Sequence, residues 1–192
     1  RISVRSAGYD GAAGGRRWRG QGEIVATLGA MNAGRAVLAR RARALVANNP
    51  LAASAVEAWV SALVGTGLKP QSTHPDAEAR AALNLAFEAW TDVADADRLT
   101  DLYGLQAIMV RRMVIEGEAF ALMIDGPAGL RLRLIDAEQV DASVNRDLGG
   151  GARIVQGVEF DAAGTRVAYH ILPDRPGLPL TSLALTPHRV PA

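Results

Sequence analysis

The chain has 192 residues, 49% of them hydrophobic, enough for one large domain or two small ones with a real core. It has no cysteine, which excludes a disulfide framework and thiolate metal sites. No apolar run approaches the ~20 residues that span a bilayer, and the N-terminus lacks the charged-then-apolar pattern of a signal peptide. The net charge of +1 hides an asymmetry: residues 1–43 carry nine Arg against Asp10 and Glu23, whereas the remainder is acidic by six charges. A basic arm on an acidic body implies contact with nucleic acid, or docking of the arm on an acidic neighbour of the same kind.

Residues 1–29 are rich in Gly, Arg and Ala without helical or alternating pattern, and are expected to be a flexible arm. A helix is expected from about Met31 to Val46, with Leu38, Ala42, Leu45 and Val46 as a narrow apolar stripe and Arg35, Arg40 and Arg43 mostly on other faces. The next helix, residues 50–64, has the clearest punctuation. Asn49 can accept from the free N–H groups of a helix start, and Pro50 fits the first helical position. Val56, Trp59, Val60, Leu63 and Val64 recur at the spacing of one buried stripe, and Gly65 and Gly67 end the helix. An extended link leads to a helix from about Asp76 to Val93, which Phe87 and Trp90 should anchor. A fourth helix is expected from about Asp101 to Glu116, with Thr100 as its cap and Gly117 closing it.

The period then changes from 3.6 to 2. Phe120, Leu122 and Ile124 alternate with Ala119, Ala121 and Met123; the turn Asp125-Gly126-Pro127-Ala128-Gly129 follows, then Leu130-Arg131-Leu132-Arg133-Leu134. A second hairpin is expected from strands 154–160 and 165–172, joined by Asp161-Ala162-Ala163-Gly164. Residues 173–192 hold five of the nine prolines and read as an extended tail. Helices first and strands second indicate an α+β fold: arm 1–29, helical part 30–117, β-hairpin part 118–172, tail 173–192. Arg1 in place of Met, and an end at Pro191-Ala192 just after an extended stretch, suggest a piece of a longer protein with a C-terminal region beyond it.

No catalytic, metal or cofactor constellation emerges. His74 beside Pro75-Asp76 and Glu78 reads as a helix-cap region rather than a ligand set. His170 reads as a half-exposed strand residue, and His188 offers nothing specific. Gly149-Gly150-Gly151 lacks the strand-glycine-helix context of a dinucleotide site and reads as a loop tip. The charged feature above noise is basic: Arg16-Arg17-Trp18-Arg19 interleaves an aromatic with cations, and Arg40, Arg41 and Arg43 form a second cluster. These seven residues are the candidate contacts to DNA or to a neighbouring subunit.

Several segments, in order, resemble the lambda-type bacteriophage portal family. They are Tyr9-Asp10-Gly11-Ala12 with Arg17-Trp18, and Arg41 to Leu45 through Asn48-Asn49-Pro50 to Gly65-Thr66-Gly67-Leu68-Lys69-Pro70. Phe87-Glu88-Ala89-Trp90, Asp101, Leu105-Gln106, Arg111-Arg112 and Gly117-Glu118-Ala119-Phe120 follow. Leu134 to Asp141, Gly157 to Asp161, Gly164, Ala168-Tyr169-His170 and Arg189-Val190-Pro191-Ala192 complete the series. One departure is Asp174-Arg175-Pro176-Gly177, where the family suggests a His-Pro pair.

The resemblance implies a structural subunit without catalytic residues or cofactor. It would be the N-terminal, wing-like portion of a homo-oligomeric ring, usually a dodecamer, at the capsid portal vertex of a phage or prophage virion. The implied partners are other copies of the subunit, the terminase motor, head-completion or tail-connector proteins, and double-stranded DNA in the channel, with no membrane. Assembly would take place in the bacterial host cytoplasm. Two other readings stand beside it. One is a nucleic-acid-binding module acting through the basic arm. The other, ranked last, is a small enzyme with a site among Glu116, Glu118, Asp136 and His170.

Overall fold

The computed structural model describes residues 28–174 and 186–192. Among the described residues four helices precede seven antiparallel strands, an α+β architecture as expected. The helices are α1 (Leu28–Asn48), α2 (Pro50–Val64), α3 (Ala77–Thr91) and α4 (Leu102–Glu116). The strands are β1 (Phe120–Ile124), β2 (Arg131–Ile135), β3 (Arg146–Gly149), β4 (Ala152–Val155), β5 (Val158–Phe160), β6 (Arg166–Ile171) and β7 (His188–Pro191), with a short 3-10 turn at Ala137–Gln139.

Local chemistry accounts for the helix ends. The Asn49 side chain accepts from the N–H groups of Leu51 and Ala52, with Pro50 in the first turn; such a cap contributes about 1 kcal/mol. Gly65, at φ 53°, closes α2 by donating its N–H to Ser61 O. Asp76 caps α3 by accepting from Ala79 N–H. For α4 the cap is Asp101, which accepts from Gly104 N–H, rather than Thr100. A carboxylate at this position accepts a charge-assisted bond that a hydroxyl cannot match.

Two layers meet at the loop between α3 and α4. Ala94, Leu102 and Leu105 are buried, with Phe87, Trp90, Leu132 and Leu134 packed against them. Phe87 and Trp90 sit 5.7 Å apart and do anchor this core, and the Trp90 indole N–H donates to Leu130 O at 2.7 Å. Residues 94–96 run parallel to β2: Leu132 N–H donates to Ala94 O and Ala96 N–H donates to Leu132 O. The helical layer is therefore stitched to the first hairpin by backbone hydrogen bonds. Asp95, 4% exposed, organises that loop by accepting from the N–H groups of Asp97, Leu99 and Thr100. Burial pushes its carboxyl up, but the three donors, with the charge of Arg133, together hold it below its ordinary value.

The second sheet has the order β3-β4-β5-β6-β7, each pair antiparallel. Here the structure departs from expectation in three places. The continuous strand expected over 154–160 is two strands, β4 and β5, joined by Gln156 (φ 54°) and Gly157 (φ 77°). Two successive positive φ values make the primed turn whose twist suits a two-residue hairpin. A Cβ on Gly157 would lie 2.6 Å from Asp141 O, so only glycine fits. Residues 146–149, assigned no strand, form β3, while the glycines 149–151, all at positive φ, make the expected loop tip between β3 and β4. The tail, expected as an extended loop, contributes β7, which pairs with β6 from Ile171↔His188 to Ala168↔Pro191. Proline is tolerated there because it ends an edge strand. Phe120 meets Tyr169 edge-on at 5.7 Å and joins the two sheets.

Candidate functional site

The densest polar cluster lies where α1 crosses the end of α4 and the start of the strands. Arg35 pairs with Glu118 and donates to Ala137 O at 2.9 Å. Eight residues on, two turns along the same face, Arg43 pairs with Glu138 and with Glu116 at 3.4 Å. From α4, Arg112 donates to Ile135 O at 2.9 Å and lies 3.5 Å from Asp136. Three guanidiniums thus interleave with four carboxylates. The Glu116 side chain is 8% exposed, and its Oε2 has no hydrogen-bond partner among the described residues.

This arrangement divides the stripe expected for α1, of which Ala42 and Val46 are half-buried. Leu38 and Leu45, expected inward, are 64% and 55% exposed, whereas Arg35 and Arg43 turn to the protein. The physical reason is charge: unpaired carboxylates at this junction are costly to bury, and Arg offers a planar fork for them. Helical periodicity ranks faces by apolar content and is blind to acids that lie far away in sequence. Of the basic candidates, Arg16, Arg17, Trp18 and Arg19 lie outside the described residues. Arg40 and Arg41 are exposed on α1, and Arg43 is half-buried in the ion pairs just described.

The enzyme reading required Glu116, Glu118, Asp136 and His170 to converge. The first three do meet at the junction, each with an arginine against it. His170 lies elsewhere, in β6, with its Nε2 3.2 Å from Glu159. Glu159 also accepts two bonds from Arg189 of β7 at 2.8 and 2.9 Å. The Arg189 bonds, opposed by partial burial and aided by His170, hold the Glu159 carboxyl below its ordinary value, and the Arg189 guanidinium is raised by the same pair. The sequence reading missed this clasp because it assigned no strand to residues 188–191. His74 does sit in a cap region, its Nδ1 accepting from Asp76 N–H. Among the described residues no group of three or more His, Asp or Glu could hold a metal, and no helix is long and apolar enough to cross a membrane.

Two surface features stand out among the described residues. A cleft of about 250 Å3 between the 69–71 link and helices α3 and α4 is lined by Lys69, Gln71, Asn84, Phe87, Glu88 and Tyr103 among others. Gly67 crosses the Tyr103 ring so closely that a Cβ would fall 2.0 Å from it, which explains the second glycine of the Gly65-Thr66-Gly67 signature. The other feature is an apolar face on α2. Val56 and Val60 of the expected stripe are buried, but Trp59 and Leu63 are 58% and 53% exposed, so the stripe is divided between the core and the surface. Leu51, at 82%, and Ala55, Ala58 and Ala62 extend the exposed half, and a shallow groove runs past Trp59. One charged residue in fifteen, Glu57, was the signal that could have revealed this second face.

Chemically, the charged groups of the junction are engaged with one another and act as fasteners that hold helices to strands. Comparison with curated proteins gives no match. A family model described as phage portal protein, lambda family, matches residues 15–192. That family is structural and non-enzymatic, and it implies an oligomeric ring and association with the capsid vertex. The match runs over nearly the whole chain, and the chain belongs to the lambda family of phage portal proteins.

Proposed function

We propose that the chain is the wing-like portion of a phage or prophage portal subunit, in a ring through which DNA is packaged into the capsid and later ejected. The family match over residues 15–192 carries this reading. The arginine-held carboxylates at the α1–α4 junction support it, since they fit a fixed scaffold better than a reaction site. The subunit makes and breaks no bonds of its own. Its partners are eleven further copies in a dodecamer, the terminase motor, head-completion or tail-connector proteins, and double-stranded DNA in the channel. It works at the portal vertex of the virion after assembly in the bacterial host cytoplasm. Head-to-tail contacts repeated until they close give such a ring.

In this reading Arg16, Arg17, Trp18, Arg19, Arg40 and Arg41 reach DNA or an acidic surface of the neighbouring subunit. Arg43 is held by Glu116 and Glu138. Negative-stain microscopy of the intact protein tests the proposal. Closed rings with a central hole are expected. A strictly monomeric particle at high concentration would refute it, and salt-sensitive DNA binding by that monomer would favour a basic nucleic-acid-binding module instead.

A further inference from the structure

We infer that the solvent-facing side of α2 is the seat of a second copy of this chain; the inference rests on the ring reading and specifies one of its contact surfaces. A helix that is apolar on nearly every side is ordinarily buried. In α2, one apolar stripe, Val56 and Val60, packs inward, while Leu51, Trp59 and Leu63 project outward beside Ala55, Ala58 and Ala62. With Leu51 82% and Trp59 58% exposed, this face offers on the order of 500 Å2 of apolar surface, given that one aromatic side chain alone can bury 150–250 Å2.

That area is at the upper end of what a monomer leaves in water. It is also most of the roughly 800 Å2 that one partner gives to a standard interface. The chemistry selects the occupant. Helix α2 carries no Lys or Arg for phosphate; its one charged residue, Glu57, is paired with Arg111 of α4. DNA is therefore a poor partner and an apolar protein surface a good one. The relief is that of a helix seat: Trp59 is a knob beside small alanines that let a second backbone approach to 8–10 Å. A matching surface exists on the same chain. Ala82, Leu85, Ala86 and Ala89 follow one another at i, i+3, i+4 and i+7 on the exposed side of α3. Two different apolar faces on one chain are what a head-to-tail ring contact uses, since one copy's first face meets the next copy's second.

The test uses the intact protein and the variants Ala58→Arg and Trp59→Ala, with Leu99→Arg as a control at an 86% exposed leucine in the loop between α3 and α4. The two α2 variants are expected to keep the melting temperature of the subunit and to lower the ring fraction at least about tenfold, as loss of an interface anchor does. The control is expected to assemble normally. An Ala58→Cys variant is then labelled with a maleimide. Rapid labelling of unassembled subunits and slow labelling of rings is expected. Rings at unmodified yield from both variants overturn the inference. So does equal protection of Ala58→Cys in unassembled subunits, which would mean that the chain covers its own helix. Failure of the unmodified protein to form rings overturns the portal reading as well, so the two failures are distinct.

Discussion

Replacing Arg43 by methionine tests whether the junction is a structural fastener. The substitution keeps most of the side-chain volume and removes the charge. In the native chain Glu116 is 92% buried at its side chain, its Oε1 is 3.4 Å from Arg43, and its Oε2 has no partner among the described residues. Without Arg43 the carboxylate is a buried charge with no compensation there, and Glu138 loses the same partner. Removing one member of a buried pair costs about 3–5 kcal/mol. Arg43 and Glu138 are each 23% exposed, so water will screen part of the loss, and we place the cost at about 3 kcal/mol. For a chain of this size that is a fall in melting temperature of roughly 6–12 °C. Urea unfolding and thermal circular dichroism both measure it. The double variant Arg43→Met/Glu116→Gln should recover about half, because a neutral amide is less costly to leave there than a charge. A loss below about 0.5 kcal/mol, typical of surface substitutions, would refute the reasoning. It would return Arg43 to the residues proposed to meet DNA or a neighbour.

Two further outcomes are expected. Gly67→Ala places a methyl 2.0 Å from the Tyr103 ring at φ 83° and should cost more than about 1 kcal/mol, measured by urea unfolding; a neutral result would mean the 65–70 link repacks freely. The Glu159 clasp should respond to acid. Its folded-state carboxyl is depressed, so its stabilisation is complete above the ordinary glutamate value near 4.3 and is lost as pH falls through the lower folded value. The stability difference between the native chain and Glu159→Gln should therefore be present at pH 6 and shrink steadily below about pH 4.3. A difference that is constant with pH would show that the carboxylate charge is not what holds β7.

Most of the helical part was legible from residues because its punctuation is chemical. Asn49-Pro50, Asp76 and Gly117 each supply or remove a specific backbone group, and α2, α3 and α4 begin and end within two residues of expectation. The first hairpin was legible for the same reason, with Gly129 at φ 83° in its turn. The second sheet was harder. Gln156 is an unusual residue for a left-handed turn position, so Val155-Gln156-Gly157-Val158 read as strand interior. β7 lies in a proline-rich tail, and its partner β6 is more than a dozen residues away, beyond the reach of local pattern. The junction was invisible for a related reason. Each of its arginines and acids looks solvated in its own segment, and only tertiary contact shows that they neutralise one another. Apolar periodicity likewise found α2 but could not divide Trp59 and Leu63 from Val56 and Val60, since a core and a partner attract the same side chains.

The late position of β7 has a consequence for synthesis. Residues 168–171 lie along an open ladder until 188–191 have been made, some twenty residues later. At translation rates of about 5–20 residues per second the nascent chain carries that bare edge for roughly one to four seconds. Unpaired strand edges seed association between chains, and β6 supplies Val167, Tyr169 and Ile171 for it. Pairing with the arriving β7, clasped through Arg189 to Glu159, covers that edge and leaves a shorter, proline-ended strand outermost.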